Sequence, residues 1–160
     1  MSETPDESSQ LTEEQLSQSK VLVVDDNAQN LELLVACLDE LGCKIATAAD
    51  GIEALEKVRG DKFDLILLDI MMPRMSGFEV CRKLKSDPET RGIPIIMVTA
   101  LNELGDIERG VEYGTDDFIS KPVNRLELLT RVKSLLRVSY LKNELDRTLA
   151  YLDEVERDRK

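Results

Sequence analysis

Five polar side chains that could act together on a phosphoryl group lie at or just after the ends of short apolar runs. They are Asp25, Asp26, Asp69, Thr99 and Lys121. A carboxylate in such a position must be paired, metal-bound or exposed, because a bare buried charge is too costly. Carboxylates held close together raise one another's pKa unless a cation lies among them. A hard divalent ion such as magnesium (Mg2+) relieves that repulsion and leaves room for phosphate oxygens.

A carboxylate beside such an ion can attack phosphorus and form an aspartyl phosphate. The Lys121 ammonium and the Thr99 hydroxyl are groups of the kind that stabilise the charge on the phosphoryl oxygens in the transition state. The chain has no histidine, and its cysteines at positions 37, 43 and 81 lack CxxC spacing. A zinc site is therefore not expected, and any metal would be held by oxygen atoms.

Short apolar runs predict the strands that position these groups. The runs span residues 21–24, 44–48, 65–68, 95–98 and 117–120. The stretches between them show helical spacing, and this alternation is typical of an α/β fold with a parallel sheet covered on both faces. We expect a doubly wound, five-stranded, flavodoxin-like sheet of order 2-1-3-4-5, with the second and fifth strands at the edges. Strands one and three then meet at the switch point, where ligands bind, so the three carboxylates converge there.

Each residue also has an ordinary structural interpretation. Asp25 or Asp26 could cap the helix that follows the first strand. Lys121 could be a solvated surface lysine, and Thr99 could be a strand-end hydroxyl bonded to the backbone. These interpretations do not explain why five polar groups share one edge of one sheet, and the coincidence favours a phosphoryl site.

Four motifs resemble the receiver domains of two-component response regulators, over Lys20 to about Val138. The motifs are VLVVDDN, LLDIMMPRMSG, VTA and FISKP, at residues 21–27, 67–77, 98–100 and 118–122. The resemblance implies that Asp69 accepts a phosphoryl group from a phosphohistidine on a sensor histidine kinase or a phosphotransferase. It also implies that the chain is not an enzyme beyond its own phosphorylation and dephosphorylation, any output enzyme domain being absent from it.

The resemblance assigns roles to individual positions. Asp26, Asp69 and the backbone carbonyl of Met71 would bind Mg2+ directly, and Asp25 would act mainly through a water molecule. Thr99 and Lys121 would hold the phosphoryl oxygens.

A switch is implied in the same way. Phe118 would swing inward as Thr99 moves toward the phosphoryl group, and Lys121–Pro122 would be a cis peptide. The signal would then leave through the face made by the domain's fourth helix, fifth strand and fifth helix. Gly105 and Gly110 interrupt the helical spacing ahead of that strand. They indicate either a weak, switchable helix or glycines that merely lie near its ends.

The loop after Asp69 has its own pattern. Pro73 is expected to stiffen it, Ser76 to cap the next helix, and Gly77 to permit a tight entry into that helix.

The last helix is expected to run from near Asn124 through Lys160. Its apolar seam, defined as Val138, Leu141, Leu145, Thr148, Leu152 and Val155, has heptad spacing with one polar position. We expect a short parallel coiled coil and hence a homodimer, with a solvated helical extension as the alternative. Similar helices join receivers to output domains such as diguanylate or nucleotide cyclases.

The expected organisation is a disordered acidic tail over 1–19, with a short helical turn around residues 11–16, a receiver over 20–138 and a helical extension over 139–160. The net charge of −11 argues against nucleic-acid contacts. The sequence shows neither a membrane span nor a secretion signal, and the unpaired cysteines favour the cytoplasm.

Three other functions are alternatives to a phosphorylated receiver. A haloacid-dehalogenase-like, Mg-dependent phosphohydrolase would need a D-x-D motif, whereas Asp25 and Asp26 are adjacent. A flavin-binding domain would need a phosphate loop rich in Ser, Thr and Gly. A degenerate receiver serving as a dimerisation scaffold would not require the intact acids, Thr99 and Lys121.

Overall fold

The computed structural model describes residues 10–100 and 104–159, with the side chains of 104–107 excepted. Its strands are β1 Lys20–Val24, β2 Lys44–Ala48, β3 Leu65–Asp69, β4 Ile95–Thr99 and β5 Asp117–Ser120. Its helices are α1 Glu13–Gln18, α2 Ala28–Asp39, α3 Gly51–Gly60, α4 Gly77–Ser86, α5 Leu104–Glu112 and α6 Arg125–Asp158.

All strand pairs are parallel, and the order is β2-β1-β3-β4-β5. The predicted sheet, its order and its two edge strands are confirmed. The continuous apolar runs of β3 and β4 are buried throughout, whereas β2 and β5 are partly exposed, as expected for edges. β1 and β3 are neighbours, so their carboxyl ends meet at one place.

The sheet separates two hydrophobic layers because successive strand side chains point to opposite faces. In β1, Leu22 and Val24 pack with residues of α3 and α4. Val21 and Val23 pack with residues of α2 and α6. This double coverage holds the central strands rigidly and leaves their carboxyl ends as the open edge of the domain.

The N-terminal segment adds a short helix beside the second of these layers. Thr12 and Gln15 form a reciprocal capping box at the start of α1. Leu11 and Leu16 pack against the core that α2 and α6 cover. The helical turn expected near residues 11–16 is therefore present at 13–18. This part of the expected disordered tail is helical. Residues 1–9 lie outside the described part.

α6 is continuous, as the uninterrupted sequence predicted, and Asn124 caps it. Its first turns bury Leu128, Val132 and Leu136 against the sheet. Beyond Ser139 its apolar residues are largely exposed. None of the described helices is long and apolar enough to cross a membrane.

Candidate functional site

Three carboxylates meet where β1 and β3 end. Asp25, Asp26 and Asp69 each offer an oxygen, and these oxygens all lie within 4.8 Å of one another. Asp25 and Asp69 are buried, at 1% and 5% exposure, whereas Asp26 is exposed. The structure thus brings together the acids that the predicted strand order placed at this edge.

Lys121 enters the cluster from the end of β5. Its Nζ donates a hydrogen bond to Asp25 Oδ2 at 3.1 Å and lies 3.4 Å from Asp69 Oδ1. Its side chain is 21% exposed, so the interpretation as a solvated surface lysine is wrong. The Lys121–Pro122 bond is cis, as the resemblance implied. Among the described residues, Lys121 is the one cation that pairs with these acids, which leaves the cluster with excess negative charge.

This imbalance is reflected in the pKa of Asp69. Burial, followed by the charge of Asp25, raises that pKa to about 6, although Lys121 opposes the rise. Burial by itself would lower the pKa of Lys121, but its hydrogen bond to Asp25 and the charge of Asp69 raise that pKa overall. Hard oxygen donors with unbalanced negative charge fit a magnesium or calcium ion.

Asn27 holds Asp25 and starts α2. The Asn27 N–H donates to Asp25 Oδ1 at 2.9 Å. Asn27 Oδ1 accepts from the N–H groups of Gln29 and Asn30, so Asn27 is the N-cap. The interpretation of Asp25 or Asp26 as the cap is therefore wrong. Sequence reasoning missed Asn27, although asparagine ranks with aspartate as an N-cap and directly precedes the helix.

Gly77 shapes the loop that follows Asp69. Its N–H donates to the Ile70 carbonyl at 2.9 Å. A Cβ at this position would collide with the Asp69 carbonyl oxygen and lie 2.8 Å from the Ile70 Cα. Glycine is required here by close backbone approach, as predicted, and Ser76 caps α4 as predicted. Met71 lies in this loop and is 64% exposed.

Thr99 and Phe118 lie on the neighbouring strands. Thr99 ends β4 and is buried, and its carbonyl accepts from the Lys121 N–H at 2.7 Å. Phe118 pairs with Met97 in the β4–β5 register and packs half-buried against the core next to α3 and α4. One short strand segment therefore links the aromatic ring to the ammonium of the site.

Residues 21–133 match the model of the response regulator receiver domain family. The response regulator PleD of Caulobacter vibrioides is 47% identical over 127 residues, which are 79% of this chain and 28% of PleD. The DNA-binding response regulator MtrA of Mycobacterium tuberculosis is 44% identical over 118 residues, 74% of this chain and 50% of MtrA. The chain thus spans half or less of the length of these relatives.

Solved receiver structures have the same fold. The signal receiver domain of a signal transduction histidine kinase from Syntrophus aciditrophicus superposes with a TM-score of 0.70 at 38% identity, covering 74% of this chain and 89% of that one. The receiver domain of the sensor histidine kinase PA1611 from Pseudomonas aeruginosa has a TM-score of 0.69 at 31% identity, covering 74% and 98%. That structure holds a magnesium ion in its active-site cleft.

The raised pKa of Asp69 predicts a pH-dependent gain in stability for Asp69→Asn without metal. Between pH 3.8 and about 6 the folded chain binds a proton that the unfolded chain has lost, so the natural chain loses stability as pH rises through this range. The amide avoids that loss. Above pH 6 we expect Asp69→Asn to be more stable by about 3 kcal/mol, since one pKa unit corresponds to about 1.36 kcal/mol.

Urea unfolding in EDTA across pH 4 to 8 measures this difference. The exposed acid of the same cluster supplies the control, Asp26→Asn, for which a much smaller gain is expected. Equal stability of Asp69→Asn and the natural chain at pH 8 would contradict the electrostatic description of the site.

Proposed function

The chain belongs to the response regulator receiver domain family, and we propose that it accepts a phosphoryl group on Asp69 from a phosphohistidine of a sensor histidine kinase or phosphotransferase. The observation that carries the proposal is the convergence of three carboxylate oxygens within 4.8 Å of one another, next to the Lys121 ammonium. A pKa of about 6 leaves Asp69 ionised at neutral pH and therefore nucleophilic.

In the transfer, an Asp69 carboxylate oxygen forms a bond to phosphorus while the bond from phosphorus to the histidine nitrogen breaks. The electron pair of that bond leaves with the imidazole, which takes up a proton from solvent. Lys121 already reaches Asp69, and in the product its ammonium donates to a phosphoryl oxygen. Thr99 ends the adjacent strand β4, and its hydroxyl donates to a second phosphoryl oxygen.

The residues fit a magnesium ion. Asp26, Asp69 and the Met71 carbonyl would hold it directly and Asp25 through a water molecule, in line with the ion in the cleft of the PA1611 receiver. When bound, magnesium neutralises the acids and the phosphoryl oxygens. Without it, the excess negative charge of the cluster repels a phosphoryl donor.

The signal then leaves the site through β5. Thr99 moves toward the phosphoryl group, Phe118 swings inward, and the surface formed by α5, β5 and α6 changes. The hydrogen bond from the Lys121 N–H to the Thr99 carbonyl supports this route, because it ties the ends of the two strands together.

The exposed end of α6 supports a parallel homodimer, which we expect to lie in the cytoplasm. Four apolar residues of the seam are each more than half exposed, namely Val138, Leu141, Leu145 and Leu152. Their heptad spacing places them on one stripe of the helix. The paired helices would pass the signal to an output domain or target, with no nucleic acid bound by this chain itself.

Acetyl phosphate should phosphorylate the chain at one residue, and only in the presence of magnesium. Intact-mass measurement should show a single phosphoryl addition that disappears in Asp69→Asn. Asp61→Asn removes an exposed acid ahead of the same strand and should be modified like the natural chain. Equal modification of Asp69→Asn and the natural chain would exclude Asp69 as the acceptor. Modification of the natural chain that is lost in Asp69→Asn would exclude a purely scaffolding role.

The phosphoryl group should be lost more slowly than in relatives that carry a polar residue at the position of Met71, because the Met71 side chain cannot orient an attacking water. Leu101 follows Thr99 by two residues, as Met71 follows Asp69, so we expect it to be a second apolar residue beside the site. Leu101 lies outside the described residues. Met71→Asn combined with Leu101→Glu should speed hydrolysis several-fold, as followed by mass spectrometry, while Met71→Leu should leave it unchanged. A double variant with unaltered or slower decay would refute the argument.

Residues 1–160 should form a weak dimer that tightens with beryllofluoride, whereas residues 1–138 should not. A buried leucine contributes about 1.5–3 kcal/mol, so Leu145→Asp should weaken the dimer by about tenfold or more. Ala150→Asp adds the same charge to an exposed position off the seam and is the matched control. Sedimentation measures all four chains, and equal dimerisation of the two lengths would mean that the part of α6 beyond residue 138 is only a spacer.

A further inference from the structure

Gly110 lies within α5, where glycine is unfavourable compared with alanine. The end of this helix does not require it. Gly114 adopts φ 91° and supplies the stop. The Thr115 N–H bonds to the Gly110 carbonyl at 3.0 Å and the Gly114 N–H to the Val111 carbonyl at 3.1 Å, which is the bonding pattern of a Schellman motif. Another constraint must therefore account for a residue without a side chain at position 110.

That constraint is the ring of Phe118. A Cβ on Gly110 would overlap the Cζ of Phe118 and lie 2.7 Å from its Cε1. The tip of the ring thus occupies the volume that any side chain at position 110 would fill. Gly60, at the end of α3, provides a contrast, because a Cβ there would meet nothing within 4 Å.

The helix cannot easily move away from the ring, since its last turn is anchored to α4. The Arg109 guanidinium lies 4.6 Å from the centre of the Phe78 ring and 6.0 Å from that of Tyr113. The Phe78 and Tyr113 rings are 5.8 Å apart, and Cys81 Sγ donates to the Tyr113 carbonyl at 3.3 Å. These contacts hold the residues on both sides of Gly110.

The backbone of Phe118 is fixed as well. Phe118 pairs with Met97 in the parallel register of β4 and β5. Farther along the same strand, the Lys121 N–H is bonded to the Thr99 carbonyl at 2.7 Å. A side chain at position 110 would therefore displace the Phe118 ring by rotation rather than move either backbone.

We propose that Gly110 is the seat of the Phe118 ring, a positioning residue whose missing side chain couples the phosphoryl site to the surface formed by α5, β5 and α6. This inference rests on the proposed switching of Phe118. The structure shows the ring in this seat without a phosphoryl group, so the inward position is already populated. Movement of Thr99 toward the phosphoryl group then makes that position the dominant one. Because such coupling is reciprocal, a residue that excludes the ring must also weaken binding of a phosphoryl analogue at Asp69.

Ring-labelled phenylalanine provides the test, because the chain contains three phenylalanines. NMR of the 13C-labelled full chain gives their ring signals, and those of Phe118 are identified by their loss in Phe118→Leu. With magnesium, beryllofluoride should shift these signals in the natural chain and in Gly60→Ala, the matched control. In Gly110→Ala the Phe118 ring signals should differ from those of the natural chain before beryllofluoride is added, and they should not change when it is added.

Affinity for beryllofluoride supplies a second readout. Gly110→Ala should weaken it about fivefold or more, at the low end of typical coupling between sites. The same substitution in a Phe118→Leu background should leave the affinity unchanged, because the ring is gone. If Gly110→Ala alone fails to fold, the combination of Gly110→Ala with Phe118→Leu should restore folding. Failure to restore it would refute the proposed role of Gly110.

The possible failures are distinguishable. If Gly110→Ala has the Phe118 signals and the beryllofluoride affinity of the natural chain, the proposed role of Gly110 is wrong and the phosphoryl site is unaffected. If beryllofluoride binds the natural chain without changing its Phe118 signals, the proposed switch is wrong, and so is the coupling role of Gly110. Absence of beryllofluoride binding at Asp69 in the natural chain overturns the proposed function itself.

Discussion

Unbalanced negative charge at the ends of β1 and β3 is the constraint on which the rest of the site depends. Asp25 and Asp69 are buried, and Lys121 alone among the described cations pairs with them. Such a cluster persists only where the surrounding structure holds it, and two hydrophobic layers on a fully buried central strand provide that support. The repulsion is concentrated where a cation would relieve it, and such a cation leaves room to bind phosphoryl oxygens as well.

In the proposed function, the contacts of Lys121 would connect the phosphoryl site to β5. Lys121 contributes its side chain to the acids and its backbone N–H to Thr99, so the site is connected to β5 through a single residue. Phe118 lies three residues earlier on that strand, against Gly110 of α5. In the proposed switch, the rigid sheet would hold the reacting groups in position and the elements at its edge would move.

The sequence was sufficient for the strands, their order and the convergence of the acids, because continuous apolar runs and the rules of parallel sheets determine these features locally. It was insufficient where a contact joins distant elements. The docking of α1 on the core and the fit of Phe118 over Gly110 follow from tertiary geometry that has no periodic signal. The cap of α2 is ambiguous in the sequence for a different reason, since Asp25, Asp26 and Asn27 all suit the role and only the geometry at the strand end decides between them.

A crystal structure with magnesium and beryllofluoride would show whether the charge cluster holds a cation and a phosphoryl group together. We expect the ion between Asp26, Asp69 and the Met71 carbonyl, and beryllofluoride on Asp69 with Lys121 turned toward its fluorides. Beryllofluoride bound away from Asp69, or a cluster that stays without a cation at saturating magnesium while Lys121 keeps its bond to Asp25, would contradict it.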